Sequence, residues 1–107
     1  MKNIMKIALG AAILLSMSAT TATASVDKGK KLYMKKLKSA CNLSGGAMAG
    51  KHTVDEWIEI NEAGKLADEI KTICPGVKDK AVKEKYLEHY FDFFKEFGSD
   101  SGNVPSC

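Results

Sequence analysis

An aromatic band near the C-terminus constrains this chain more than any other feature. Between Asp79 and Phe97, Val82, Tyr86, Tyr90, Phe93, Phe94 and Phe97 recur at helical spacing, and Leu87 and Phe91 widen the band. The spacing predicts one long helix over 79–97, with Gly98 as its C-terminal cap. An apolar face that wide is stable only when other elements cover it. Six of the eight aromatic residues lie in this one segment, so the core has to form around it.

The covering elements read as helices too, and no stretch alternates as a strand does. A first helix is expected over about Val26–Leu43, capped by Ser25. Gly29, Tyr33, Leu37, Ala40 and Cys41 would lie along its inner face. Gly45-Gly46 is read as its stop, and Gly45 to Lys51 as a flexible link of small residues. Thr53-Val54-Asp55-Glu56 forms a capping box that opens a second helix bearing Trp57 and Ile60. Gly64 marks its end or a kink. Leu66, Ile70, Ile73 and Cys74 pattern a third helix, which Pro75-Gly76 closes. The expected fold is all-α: a small single-domain bundle of about four helices over 25–98, followed by an aperiodic polar tail, Ser99 to Cys107.

Residues 1–24 read as a cleavable export signal. A lysine-bearing start precedes the apolar run Ile7–Leu15, and a small polar stretch ends in the A-x-A site Ala22-Thr23-Ala24. Nine apolar residues fall well short of the ~20 that a bilayer core requires, so no membrane anchor is expected after cleavage. The mature chain would then begin at Ser25, have 83 of the 107 residues, and reside in an oxidising compartment, most simply a bacterial periplasm.

Charge narrows the function classes. Two of the 16 lysines lie in the export segment, which leaves 14 against 13 acids and a mature net charge of +1. There is no arginine, so the planar fork that grips phosphate and reads guanine is missing, and nucleic acid is not an expected partner. The distribution is uneven: residues 25–54 balance at +6 and residues 55–107 at −5. Lys30, Lys31, Lys35, Lys36 and Lys38 form a basic face on the first helix. It either packs near the acidic later helices or docks an acidic periplasmic partner, a redox protein for example.

Three cysteines in an exported domain allow one internal disulfide and one spare thiol. Cys41–Cys74 is the preferred pair, because both fall on apolar helix faces; the alternatives staple Cys107 to either one. Without a C-x-x-C pair, thiol oxidoreductase chemistry is not expected. His52 and His89 stand 37 positions apart, outside any metal-ligand or hydrolytic spacing. Both read as solvated, so neither a metal site nor catalytic residues are assigned, and the chain is not expected to be an enzyme.

The segment Asp27-Lys28-Gly29-Lys30-Lys31-Leu32-Tyr33 resembles the first helix of class I cytochromes c. In that family a glycine, with an aromatic one turn later, seats against an aromatic-rich last helix. The resemblance implies that Gly29 and Tyr33 cross the last helix near Tyr90 or Phe94. It covers the first helix and the all-helical order, and is nearest to small bacterial periplasmic proteins whose haem-attachment motif is incomplete. Where the family carries C-x-x-C-H, this chain has Cys41-Asn42-Leu43-Ser44-Gly45. Ser44 replaces the second thioether cysteine and Gly45 the histidine ligand. The resulting expectation is a non-enzymatic, haem-free, partner-binding or accessory module with no cofactor. The alternative is a periplasmic electron-transfer protein holding haem through Cys41, with His52 and Met48 or Met34 as axial ligands.

Overall fold

The computed structural model describes residues 25–107; the expected export signal over 1–24 lies outside the described residues. The described residues form an all-α domain with no strand among them. Helix α1 spans 25–41 and includes a π-helical turn, Tyr33–Leu37, followed by the α-turn Lys38–Cys41. Next come α2 (Gly45–Ala49), α3 (Val54–Glu62), α4 (Leu66–Ile73), a 3₁₀ turn (Asp79–Ala81) and α5 (Glu84–Glu96).

The π turn follows from the spacing of the inward residues. Gly29, Tyr33, Leu37 and Cys41 are each four apart, whereas an α-helix turns once every 3.6 residues, so a strict four-residue repeat drifts around the helix. One wider turn takes up that drift. Gly29, Tyr33 and Leu37 are buried and Cys41 half-buried, while Ala40, expected on the inner face, is exposed. Ser25 is already helical, and its hydroxyl bonds His89 Nδ1 at 2.8 Å rather than capping the helix.

Gly29 sets the closest approach in the fold. A Cβ at this position would lie 2.0 Å from the carbonyl oxygen of His89 and 2.9 Å from Phe93 Cβ. Tyr33, one turn on, places its ring 5.9 Å from Phe93 and 6.2 Å from Phe94. The first and last helices therefore cross at Gly29 and Tyr33 as expected, with Phe94, one of the two expected partners, and Phe93 in place of Tyr90 as the ring contacts. In an open helix, Gly→Ala stabilises by about 1 kcal/mol. Here Gly29→Ala is expected to destabilise by about 1–3 kcal/mol, because the methyl group meets backbone. Thermal denaturation checks the sign, and a variant melting above the parent would refute the crossing.

Several boundaries differ from expectation, each for a local reason. Helix α1 ends at Asn42, which adopts the left-handed conformation (φ 56°) with its N–H on Lys38 O; the glycines play no part in stopping it. The glycines begin α2 instead. Ser44 caps that helix through Ala47 N, and Met48 and Ala49 are fully buried, so this segment is an ordered helix of the core and not a flexible link. The described residues accordingly form five α-helical segments. The capping box at Thr53 and Glu56 is present in both directions, and the hydrogen bond that Thr53 N–H donates to the Glu56 carboxyl holds it below its usual pKa.

Gly64, at φ 70°, closes α3 in a Schellman motif, with Lys65 N–H on Ile60 O and Gly64 N–H on Asn61 O. The last helix starts at Glu84, not Asp79, because Lys83 is extended and Asp79–Ala81 form a separate 3₁₀ turn. Gly98 lacks a left-handed φ; its place depends on tight contact, since a Cβ there would lie 2.8 Å from Val54 N.

The core is a stack of rings on α5 covered by α1, α2 and α3. Tyr33, Leu37, Met48, Ala49, Trp57, Ile70, Tyr90, Phe93 and Phe94 are all at 0% exposure. Their polar atoms have partners: Tyr33 donates to Leu43 O, Trp57 Nε1 to Ala49 O, and Tyr90 to Ala81 O. Burial, with Cys107 adding to it, pushes the Tyr33 phenol up to about 12, and burial likewise raises Tyr90. A Cys41–Cys74 disulfide ties the end of α1 to the end of α4.

Candidate functional site

The five lysines assigned to the basic face split into three groups. Lys31, Lys35 and Lys38, spaced by four and three, are exposed along one stripe of α1, beside the exposed Met34. Lys30 turns toward the C-terminus and donates to Ser106 Oγ at 2.6 Å. Lys36 lies over the Tyr86 ring, 4.7 Å from its centre, with Lys85 5.2 Å away. Desolvation alone would raise the Tyr86 phenol, but Lys36, Lys85 and Lys83 outweigh it and hold its pKa below the usual value. Among the described residues, none of the five α1 lysines forms an ion pair with a carboxylate. The acidic later helices do not neutralise this face by direct contact.

The three residues named for haem are engaged separately. Cys41 Sγ is bonded to Cys74, so a thioether there requires opening the disulfide first. Met48 is fully buried in the core. His52 is half-buried instead of solvated: its Nε2 lies 2.8 Å from Glu69 Oε2 and its Nδ1 3.6 Å from Glu56 Oε1. Its ring meets Trp57 edge-on at 4.8 Å, and its carbonyl accepts Ser99 N–H. His89 is also withdrawn from solvent through its bond to Ser25. The fourth named residue, Met34, is 46% exposed on the lysine stripe.

The tail from Ser99 is irregular, as its lack of periodicity predicts, yet it is held against the domain. Asp100 accepts Val54 N–H, and Gly46 N–H reaches Cys107 O at 3.4 Å. The free thiol of Cys107 is half-buried against Gly45 and the edge of Phe93. It is so close that a Cβ on Gly45 would lie 2.5 Å from the sulfur. Cys107 is thus seated on the core although it ends an aperiodic polar tail.

Sequence reasoning missed a second group of lysines, Lys78, Lys80, Lys83 and Lys85, of which the fold brings Lys80, Lys83 and Lys85 to Tyr86, beside α1. Four lysines within eight positions were visible as a local cluster. Averaging charge over residues 55–107 concealed them. Compared with known proteins, the chain matches no family model, no curated protein and no solved structure.

Proposed function

We propose that this chain is an exported, non-enzymatic helical module of cytochrome-c-like architecture that docks an acidic periplasmic partner through the lysine face of α1. The observation that carries the reading is the stripe Lys31, Lys35 and Lys38. These lysines are exposed on a helix whose position is fixed by the Gly29 crossing, and none has a carboxylate partner among the described residues. A rigid row of unneutralised ammonium groups steers an acidic surface more effectively than it stabilises its own fold. The crossing at Gly29 and Tyr33 supports the cytochrome-c-like architecture, and the Cys41–Cys74 bridge suits an oxidising compartment. The non-enzymatic, haem-free reading is supported by the engagement of His52, His89, Met48 and Cys41 in structural contacts.

The experiment begins with a photocrosslinker introduced at Lys35 in the exporting cell, which identifies the docked protein. Association with that protein should slow at least about tenfold as salt rises from ~20 to ~300 mM, because exposed charges are screened over a shrinking Debye length. Lys31→Gln, Lys35→Gln and Lys38→Gln together should slow association at low salt while leaving the melting temperature unchanged. A partner that binds with no salt dependence would refute the reading. So would a stoichiometric haem spectrum lost on Cys41→Ala or His52→Ala, which would promote the electron carrier.

A further inference from the structure

We infer that a cleft between α1 and the start of α5 binds a small multivalent oxyanion of the phosphate class. The cleft has a volume of about 400 Å³ and is lined by Lys35, Lys36, Lys80, Ala81, Lys83 and Tyr86. Four lysines from three separate elements share this opening, and among the described residues its lining contains no carboxylate. The acids nearest in sequence are directed elsewhere. Asp79 pairs with Lys71, and Glu84 lines a neighbouring depression with Lys83, Lys85 and Glu88.

Physical chemistry favours an anion in this space. Four like charges around one opening repel one another, and an anion placed among them turns that repulsion into attraction. The positive end of α5 adds to the same potential, because Lys83 stands at its N-terminus without a side-chain cap. Part of the wall is held before any ligand arrives. Tyr90 Oη donates to Ala81 O at 2.8 Å, holding the 3₁₀ turn that carries Lys80, and Lys36 is already stationed over Tyr86. The Tyr86 hydroxyl supplies a neutral donor among the ammonium groups. Lysines are compact point charges that reward charge density, whereas a planar carboxylate is matched best by the arginine fork this chain lacks. Phosphate and pyrophosphate carry the higher charge density.

The cleft shares Lys35 with the docking stripe, but the two are tested through different residues. Lys80 and Lys83 lie outside that face, while Lys31 and Lys38 lie outside the cleft. The test is titration of the purified protein with sodium pyrophosphate at low salt, followed by calorimetry and by the Tyr86 resonances. One saturable site is expected. Lys80→Gln with Lys83→Gln should weaken it at least about tenfold, because each change removes a charge-assisted contact. Lys51→Gln, an exposed lysine outside the cleft, should leave binding unchanged. Pyrophosphate at a concentration that just saturates the parent should also raise the phenol titration of Tyr86, followed by phenolate absorbance, and should raise it less in the double variant. Binding no greater than that of sodium chloride at matched ionic strength would overturn the inference. So would equal weakening by Lys51→Gln, or binding of citrate as tight as that of pyrophosphate.

Discussion

Opening the Cys41–Cys74 disulfide should cost about 3–4 kcal/mol of folding stability, the loop-closure entropy for a separation of 33 residues. A domain with 83 described residues holds a total of roughly 4–12 kcal/mol, so the expected loss is a large share of it. The bridge constrains α2, α3 and α4 together, since all three lie between its ends. Cys74 is 1% exposed, so its replacement also disturbs packing; Cys41→Ala with Cys74→Ala keeps polar atoms out of that space. Urea titration of the double variant should show a lower midpoint and a steeper dependence, because the unlinked chain exposes more surface on unfolding. The parent with Cys107→Ser, measured oxidised and reduced, should repeat the loss without any exchange through the third thiol. A midpoint unchanged in both comparisons would mean the bridge contributes nothing beyond its contacts.

How much of this fold was legible depended on whether a segment was long enough to display a period. Gly29, Tyr33 and Leu37 extend over two turns of α1, so spacing sets them on one inward face; which helix that face meets was an expectation of the resemblance and not of the spacing. Cys41 and Cys74 were readable for the same reason, each ending an apolar face. In α2 there are only five residues, which is too few for a period to emerge from Gly45, Gly46, Ala47, Met48 and Ala49. Two glycines there look like a break, and the Ser44 cap was the one local sign of a helix start. Val82 misplaced the beginning of α5 because it falls in phase with the aromatic band, although it belongs to the turn before Lys83.

The candidate site was legible only on α1. Lys31, Lys35 and Lys38 are set outward by the same phase that buries Tyr33 and Leu37. The environment of His52 was not readable, because Glu69 comes from α4, 17 positions away, and meets the ring only after α3 and α4 fold together. The cleft at Tyr86 likewise needs α1 and the turn at Ala81 to approach one another, a long-range contact that no local pattern encodes.

Phe94→Ala should be as costly as losing the disulfide, at about 3–5 kcal/mol. Phe94 is fully buried where three helices meet. Its ring stacks on Trp57 at 4.7 Å, lies 6.2 Å from Tyr90, and receives Tyr33 edge-on at 6.2 Å. Removing it takes away the aromatic surface shared by α1, α3 and α5, and its neighbours are themselves held by hydrogen bonds that oppose collapse into the space. Tyr33 is fastened to Leu43 O, Trp57 to Ala49 O and Tyr90 to Ala81 O. The cavity therefore stays open, which places the cost toward the upper part of the range for such truncations. Phe94→Leu refills much of the volume and should cost less than half as much, while Met34→Ala on the exposed stripe should stay within about 0.5 kcal/mol of the parent. Urea unfolding followed by Trp57 fluorescence reads both the stability and the loss of the stacked ring. A Phe94→Ala protein that unfolds within about 1 kcal/mol of the parent would mean that the three helices are held together elsewhere.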